Sequence, residues 1–215
     1  MKTIIKYELV INEALRSALN YDTPDEQINE FIRFFGKHIG SDRIYIFEDC
    51  DEKHVTKNTY EWCADGIVPE IHELQNVDMD IIGWWYQTFD KDRNVIITDI
   101  EQIKDEHRES YNLLKAQNVK NLVVCPIRYK DEIKGFFGVD NPPESDTLGL
   151  TTFLDMIGTL LISLLKLRNS FTKSNKEAML SSYSSLSSIY ISMALVNVQT
   201  HRYHIVKTLD EVVHF

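Results

Sequence analysis

Apolar and polar positions recur along this chain in two rhythms, and the switches between them mark its elements. From Ile4 to Leu19, the residues Ile4, Tyr7, Ile11, Leu15 and Ala18 recur at helical spacing and predict an amphipathic helix. Thr23-Pro24-Asp25-Glu26 follows, a capping box with proline at the first helical position. The helix it opens carries Ile28, Phe31, Ile32, Phe35 and Ile39 on one face, and Gly40 stops it. The rhythm then changes to two. Asp42 to Glu48 alternates, with Ile44 and Ile46 facing one way and Tyr45 and Phe47 the other, which predicts the first strand. After an acidic turn from Glu48 to Lys53, Val55 to Cys63 is the partner strand. Val55, Lys57, Thr59, Glu61 and Cys63 share one face, and Thr56, Asn58, Tyr60 and Trp62 the other. Pro69 to Met79 reads as loop or irregular helix, Asp80 to Phe89 as a short helix, Asn94 to Ile100 as a third strand, and about Glu106 to Gln117 as a helix.

The stretch from Asn121 to Pro143 organises the rest. Leu122, Val123, Val124, Cys125, Ile127 and Tyr129 form an apolar, β-branched run suited to a largely buried strand. Lys130-Asp131-Glu132 is a polar turn, and Ile133 to Val139 is a second apolar run in which Gly135 and Gly138 mark close approaches. Asp140-Asn141-Pro142-Pro143 ends it, because proline cannot continue a central strand. Two buried strands joined by a tight turn predict the middle of an antiparallel sheet. Beyond them, Leu150, Leu154, Ile157, Leu161, Leu164 and Phe171 recur at spacings of four and three, broken only by Arg168. This seam suits a helix that packs with the N-terminal helix and with a second copy in a coiled-coil dimer, or one that covers its own sheet. Ser181 to Ser188 reads as a linker or weak helix, and Ile189 to Val198 and Tyr203 to Leu209 as two strands.

The hairpin also carries a resemblance. Val124-Cys125-Pro126-Ile127 and Lys134-Gly135-Phe136-Phe137-Gly138-Val139-Asp140-Asn141 resemble the last two strands of a GAF domain, and the order of elements upstream fits that family over roughly residues 5 to 165. The resemblance implies an α+β fold: a GAF-like twisted antiparallel sheet with N- and C-terminal helices packed on one face and a ligand pocket on the other. The expected organisation is an N-terminal helix (1–20), a sensory domain (21–145), an exit helix (146–180), and a serine-rich linker with the start of a truncated PAS-like segment (181–215). Mapped onto this chain, the family's pocket points to Tyr60, Trp62, Trp84, Trp85, Asp99, Tyr111, Cys125 and Val139. The paired tryptophans suit a planar or amphiphilic small molecule, or they simply fill the core.

Charge and composition narrow the partners. A formal net charge of −10 argues against non-specific nucleic-acid binding and against attraction to anionic membranes. The longest apolar run, Met156 to Leu165, is too short to span a bilayer, and the N-terminus has no signal-peptide pattern. Three dispersed cysteines fit a reducing cytoplasm better than a disulfide framework. Glu48, Asp49, Cys50, Asp51, Glu52 and His54 cluster as a metal site would, but one cysteine–histidine pair is half a zinc site, and a solvated acidic turn is the better reading. The family's cyclic-nucleotide signature is not assembled here. His107 has no neighbouring cysteine for a covalent bilin, and Asp99 is a cap before the following loop rather than a catalytic carboxylate.

These features together imply a cytoplasmic regulatory module with no catalytic residues, metal or cofactor of its own. It senses a small molecule and relays its state through the C-terminal helix to an output domain such as a diguanylate cyclase, lying beyond Phe215. The expected homodimer forms through Leu150, Leu154, Ile157, Leu161 and Leu164. Two alternatives stand beside it: a GAF-fold redox enzyme using Cys125 or Cys63, and a dimerising scaffold with a filled pocket.

Overall fold

The computed structural model describes residues 2–91, 93–143 and 147–199. The described chain divides into two units, Met1–Arg168 and Asn169–Phe215. In the first unit, α1 (Lys2–Ala18) and α2 (Pro24–Ile39) precede β1 (Arg43–Cys50) and β2 (Val55–Cys63). A two-residue strand β3 (Val77–Asp78), the short helix α3 (Gly83–Phe89), β4 (Val95–Ile97) and α4 (Arg108–Ala116) follow. β5 (Leu122–Tyr129) and β6 (Glu132–Asp140) form the expected hairpin, and α5 (Thr147–Gln199) begins after it. The strands make one six-stranded sheet in the order β3-β2-β1-β6-β5-β4. Every pairing is antiparallel. The hairpin thus lies inside the sheet, where its apolar runs on both faces are covered.

The sheet separates two cores. Ile44, Ile46, Val123, Cys125, Ile127, Phe137 and Val139 point to the side of α1, α2 and α5. Tyr45, Phe47, Leu122, Val124 and Phe136 point to the opposite side, against Ile82, Trp85, Phe89, Ile100 and Leu114. Alternation along each strand enforces this division, because successive side chains leave a pleated backbone on opposite faces. α2 starts as its sequence requires: Glu26 N–H donates to Thr23 Oγ1 at 3.3 Å, and Thr23 N–H donates to Glu26 Oε2 at 3.1 Å. It ends at Gly40, whose φ of 74° is left-handed. Gly36 in its last turns leaves room for the Trp62 ring, which a Cβ there would meet at 2.2 Å.

Three expectations change. β2 does not alternate cleanly, because Ile46 faces Tyr60 while Phe47 faces Asn58, leaving Thr59 as an extra residue. This bulge turns Asn58 to the face opposite Tyr60 and Trp62, with which simple alternation had grouped it. The leucine seam is taken up by the chain's own core. Leu150, Leu154, Ile157 and Leu161 are all at most 1% exposed in the helix-side core, with Leu164 packed against it. Of the two readings of that periodicity, coverage of its own sheet accounts for these residues.

The third change concerns the tail. Helix α5 runs through Ser181–Ser188 and through Ile189–Val198, where the sequence predicts a linker or weak helix and then a strand. Strand preference is weak and depends on context, and a strand needs a partner, whereas Met193, Ala194 and Leu195 favour a helix. Tyr203–Leu209 lies outside the described residues. In the second unit, Phe171 and Leu180 are exposed, and Lys173 pairs with Glu177 at 3.9 Å. Among the described residues no helix is long and apolar enough to cross a membrane.

Candidate functional site

The side of the sheet away from α5 holds a small cavity beneath α3 and α4. Its floor comes from alternate residues of β1 and β6: Arg43, Tyr45 and Phe47 from one, Phe136 and Asp140 from the other. Register explains the grouping, since Arg43 faces Asp140, Tyr45 faces Gly138 and Phe47 faces Phe136 across the ladder. Gly138 is needed there, because a Cβ would stand 2.3 Å from the Tyr45 ring. Asn58 and Glu61 enter from β2, the former through the bulge, and Trp85, Leu113 and Gln117 close the cavity from the helices. The rings interlock. Phe47 and Phe136 stack at 4.8 Å, and Trp85 meets Phe136 edge-on at 5.5 Å. About 30 Å³ stays open, room for roughly two waters at about 10–15 Å³ each. A second cavity of about 110 Å³, lined by Gly66, Val68 and Asn118 among others, shares Arg43, Gln117 and Asp140 with the first.

One end of the cavity is charged. Arg43 is 3% exposed; its Nη1 donates to Asp140 Oδ2 at 3.1 Å, and its Nε stands 3.3 Å from Glu61 Oε1. Its Nη2 donates to the Val68 carbonyl at 2.8 Å. Glu61 is fixed further by the backbone N–H groups of Glu70 and Ile71, at 2.9 and 3.0 Å. One guanidinium is thus shared by two buried carboxylates. Burial pushes the Asp140 carboxyl up to about 7, against the pull of Arg43 and of the Tyr45 hydroxyl beside it. Arg43 keeps its charge, so Asp140 is the group that yields when the surplus negative charge is removed.

Of the eight pocket residues expected from the sequence, Trp85 lines this cavity. Tyr60 belongs to the opposite core, Trp62 packs against that core, and Cys125 and Val139 are buried in it. Their parity places them there: Val139 faces Ile44 and Cys125 faces Phe137, both helix-side residues. Trp84 stacks on His107 at 4.2 Å and donates from Nε1 to Ser110 Oγ at 2.9 Å, beside the cavity rather than in its wall. Tyr111 turns its hydroxyl to Glu101 at 3.0 Å. Asp99 caps the turn Ile100–Ile103, accepting from Glu101 N–H at 3.0 Å, as a capping carboxylate should. Arg43, Tyr45, Phe47, Asn58, Glu61, Phe136, Gln117 and Asp140 were missed. The alternation of β1 carried the signal for Tyr45 and Phe47.

The cysteines lie away from such chemistry. Cys125 is buried in the helix-side core, and burial pushes the Cys63 thiol up, which disfavours the reactive thiolate. Among the described residues, the donors close enough to share a metal ion are His54, Asp78 and Asp80, all exposed.

Strand β1 does a second thing. Its far end offers Glu48 to the other face, where Arg168 of α5 donates from Nη1 and Nη2 to the two carboxylate oxygens at 2.8 and 2.6 Å. Arg168 Nη1 also reaches Tyr60 Oη at 3.2 Å, and the Tyr60 hydroxyl donates to Asp25 in the first turn of α2. The paired Glu48 carboxylate raises the Arg168 pKa, the mark of a bidentate ion pair. The residue that breaks the leucine seam therefore fastens α5 to the strand that floors the cavity.

The comparisons agree with this architecture. The domain from an Acinetobacter phosphoenolpyruvate-protein phosphotransferase superposes with a TM-score of 0.60 at 11% identity, over 78% of this chain and 97% of that one. The phycocyanobilin-bound domain of a cyanobacterial phytochrome does so with a TM-score of 0.57 at 17% identity, over 74% of this chain and 94% of its own. At these identities the likeness is one of fold. In sequence, the chain is 26% identical over 128 residues to the methanogenesis regulatory histidine kinase FilI of Methanothrix harundinacea (strain 6Ac). That match covers 57% of this chain and only 14% of the kinase. The GAF domain model matches residues 23–164, more than half of the chain, and the chain belongs to the GAF domain family.

Proposed function

We propose that this chain is the small-molecule-sensing module of a signal-transduction protein, acting by binding rather than by catalysis. One observation carries the reading. β1 presents Arg43, Tyr45 and Phe47 to the cavity and, from its far end, Glu48 to Arg168 of α5. A ligand that shifts β1 must shift the ion pair, and α5 runs on from there to Gln199. The relay is a population shift between two settings of the helix, driven by the ligand's different affinity for each. A helix of 53 residues is longer than one domain can cover. We place a coiled-coil homodimer on its second-unit part, where Phe171, the last residue of the seam, is exposed, instead of on the buried leucines. The receiving domain is a kinase by analogy with the histidine kinase relative, in place of the diguanylate cyclase that the family resemblance implied. The cavity's size favours a ligand much smaller than a bilin.

Hydrogen exchange of the chain, with and without a small-molecule extract of cells, tests this. The expected result is altered exchange both in Arg43–Cys50 and in the α5 turns around Arg168. No change at β1 with any fraction would overturn the sensor reading.

A further inference from the structure

We propose that the cavity takes a compact organic cation bearing N–H donors, an alkylammonium or amidinium of a few heavy atoms. This rests on the sensor reading and names the ligand class it leaves open.

Four polar side-chain atoms in the cavity's lining residues have no hydrogen-bond partner: Asn58 Oδ1, Asp140 Oδ1, Trp85 Nε1 and Arg43 Nε. Arg43 Nε stands 3.3 Å from Glu61 Oε1 in an ion pair, which leaves the first three. Their residues are 1%, 2% and 4% exposed, so bulk water does not serve them. Groups left this way are unfavourable, and natural proteins keep few of them. Three on one small cavity point to a ligand that completes them. Two are acceptors, one of them on a carboxylate, and they require a donor, N–H or O–H, between which the charge of the site decides. The formal charge agrees. Arg43 against Glu61 and Asp140 leaves one negative charge in excess, which repels an anion and is uncompensated by a neutral molecule.

The walls agree as well. Tyr45, Phe47, Trp85 and Phe136 line the space with rings, which suits the short alkyl part of such a ligand. Trp85 N–H remains as a donor, so a hydroxyl next to the ammonium satisfies all three atoms at once. Burial holds Asp140 near the point of taking a proton; a cation at Oδ1 restores its charge and displaces that proton.

The chain has three tryptophans, hence three indole N–H signals in a ¹H–¹⁵N spectrum, and Trp85→Phe identifies the one that matters. Ethanolamine and acetamidine are titrated at pH 8, with acetate and ethylene glycol as anionic and neutral probes of similar size. The Trp85 signal should move saturably with ethanolamine and stay in place with acetate and ethylene glycol. Asp140→Asn should weaken ethanolamine binding at least tenfold. Should that variant fail to fold, Trp85→Phe serves instead, its loss of affinity read by calorimetry. Stronger movement with acetate or ethylene glycol overturns the cation assignment and leaves the sensor reading standing. If none of the four moves the signal, the cation assignment falls. If a cell extract also leaves β1 exchange unchanged, the sensor reading falls with it.

Discussion

Burial raises the Asp140 carboxyl to about 7, above its ordinary value of 3.8, and that direction fixes a sign. The folded chain holds this proton more tightly than the unfolded chain does. Its contribution to stability is therefore undiminished below about pH 4 and is lost as pH rises through about 7. Urea midpoints of the wild type, compared with Asp140→Asn, should show an extra fall across that window, and the variant should lack it. Arg43, Tyr45 and Glu61 are the titratable groups facing Asp140, and Arg43 stays charged throughout the window. A cationic ligand gains affinity over the same range, as the proton it competes with leaves. Gly138 offers a steric counterpart. Gly138→Ala drives a methyl into the Tyr45 ring and should cost about 1–3 kcal/mol of stability, read by denaturation. At this scale the sequence was half legible. Tyr45 and Phe47 fall together by alternation, but nothing in two apolar runs says which face of β5 or β6 meets the cavity. The family's pocket, mapped onto the sequence, includes Cys125 and Val139, and the register places both in the helix-side core instead of the cavity wall. Tyr60 and Trp62 come from the same mapping of the family's pocket, whereas parity puts both under the helices.

Elements were easier to read where they carry their own punctuation. Thr23-Pro24-Asp25-Glu26 opens α2 and Gly40 closes it, because caps and left-handed stops are local chemistry. The bulge at Thr59 left no such mark, since it depends on how β1 and β2 pair, and it decides where Asn58 points. The strand expected at Ile189–Val198 failed for the opposite reason: local preference without a partner strand does not hold against a continuing helix. The role of Arg168 was visible only as an interruption of the leucine seam. Its bidentate pair with Glu48 is mostly buried, with side chains 16% and 23% exposed. A double-mutant cycle with Glu48→Gln and Arg168→Gln should give a coupling energy of about 1–2 kcal/mol, above that of a surface pair. A value near zero would remove the fastening assigned to this pair.

For the whole molecule, the fold class was legible through a resemblance: the hairpin's motifs and the order of elements are similar to those of a GAF domain, whose fold the chain shares. The expected dimer seam proved to be core, because a helix that covers a sheet and a helix in a coiled coil share one periodicity. Light scattering should find a dimer at micromolar concentration, and Phe171→Glu should shift it to monomer without unfolding the first unit. A dimer indifferent to that change would place the interface elsewhere.

The central claim is that β1 couples the cavity to α5 through Glu48 and Arg168. Hydrogen exchange measured with ethanolamine, in the wild type and in Arg168→Gln, tests it most directly. The coupling requires that the ligand alter exchange in both β1 and the α5 turns around Arg168 in the wild type, and in β1 alone in the variant. An α5 response that survives in Arg168→Gln, or a β1 response with none in α5 of the wild type, would contradict it.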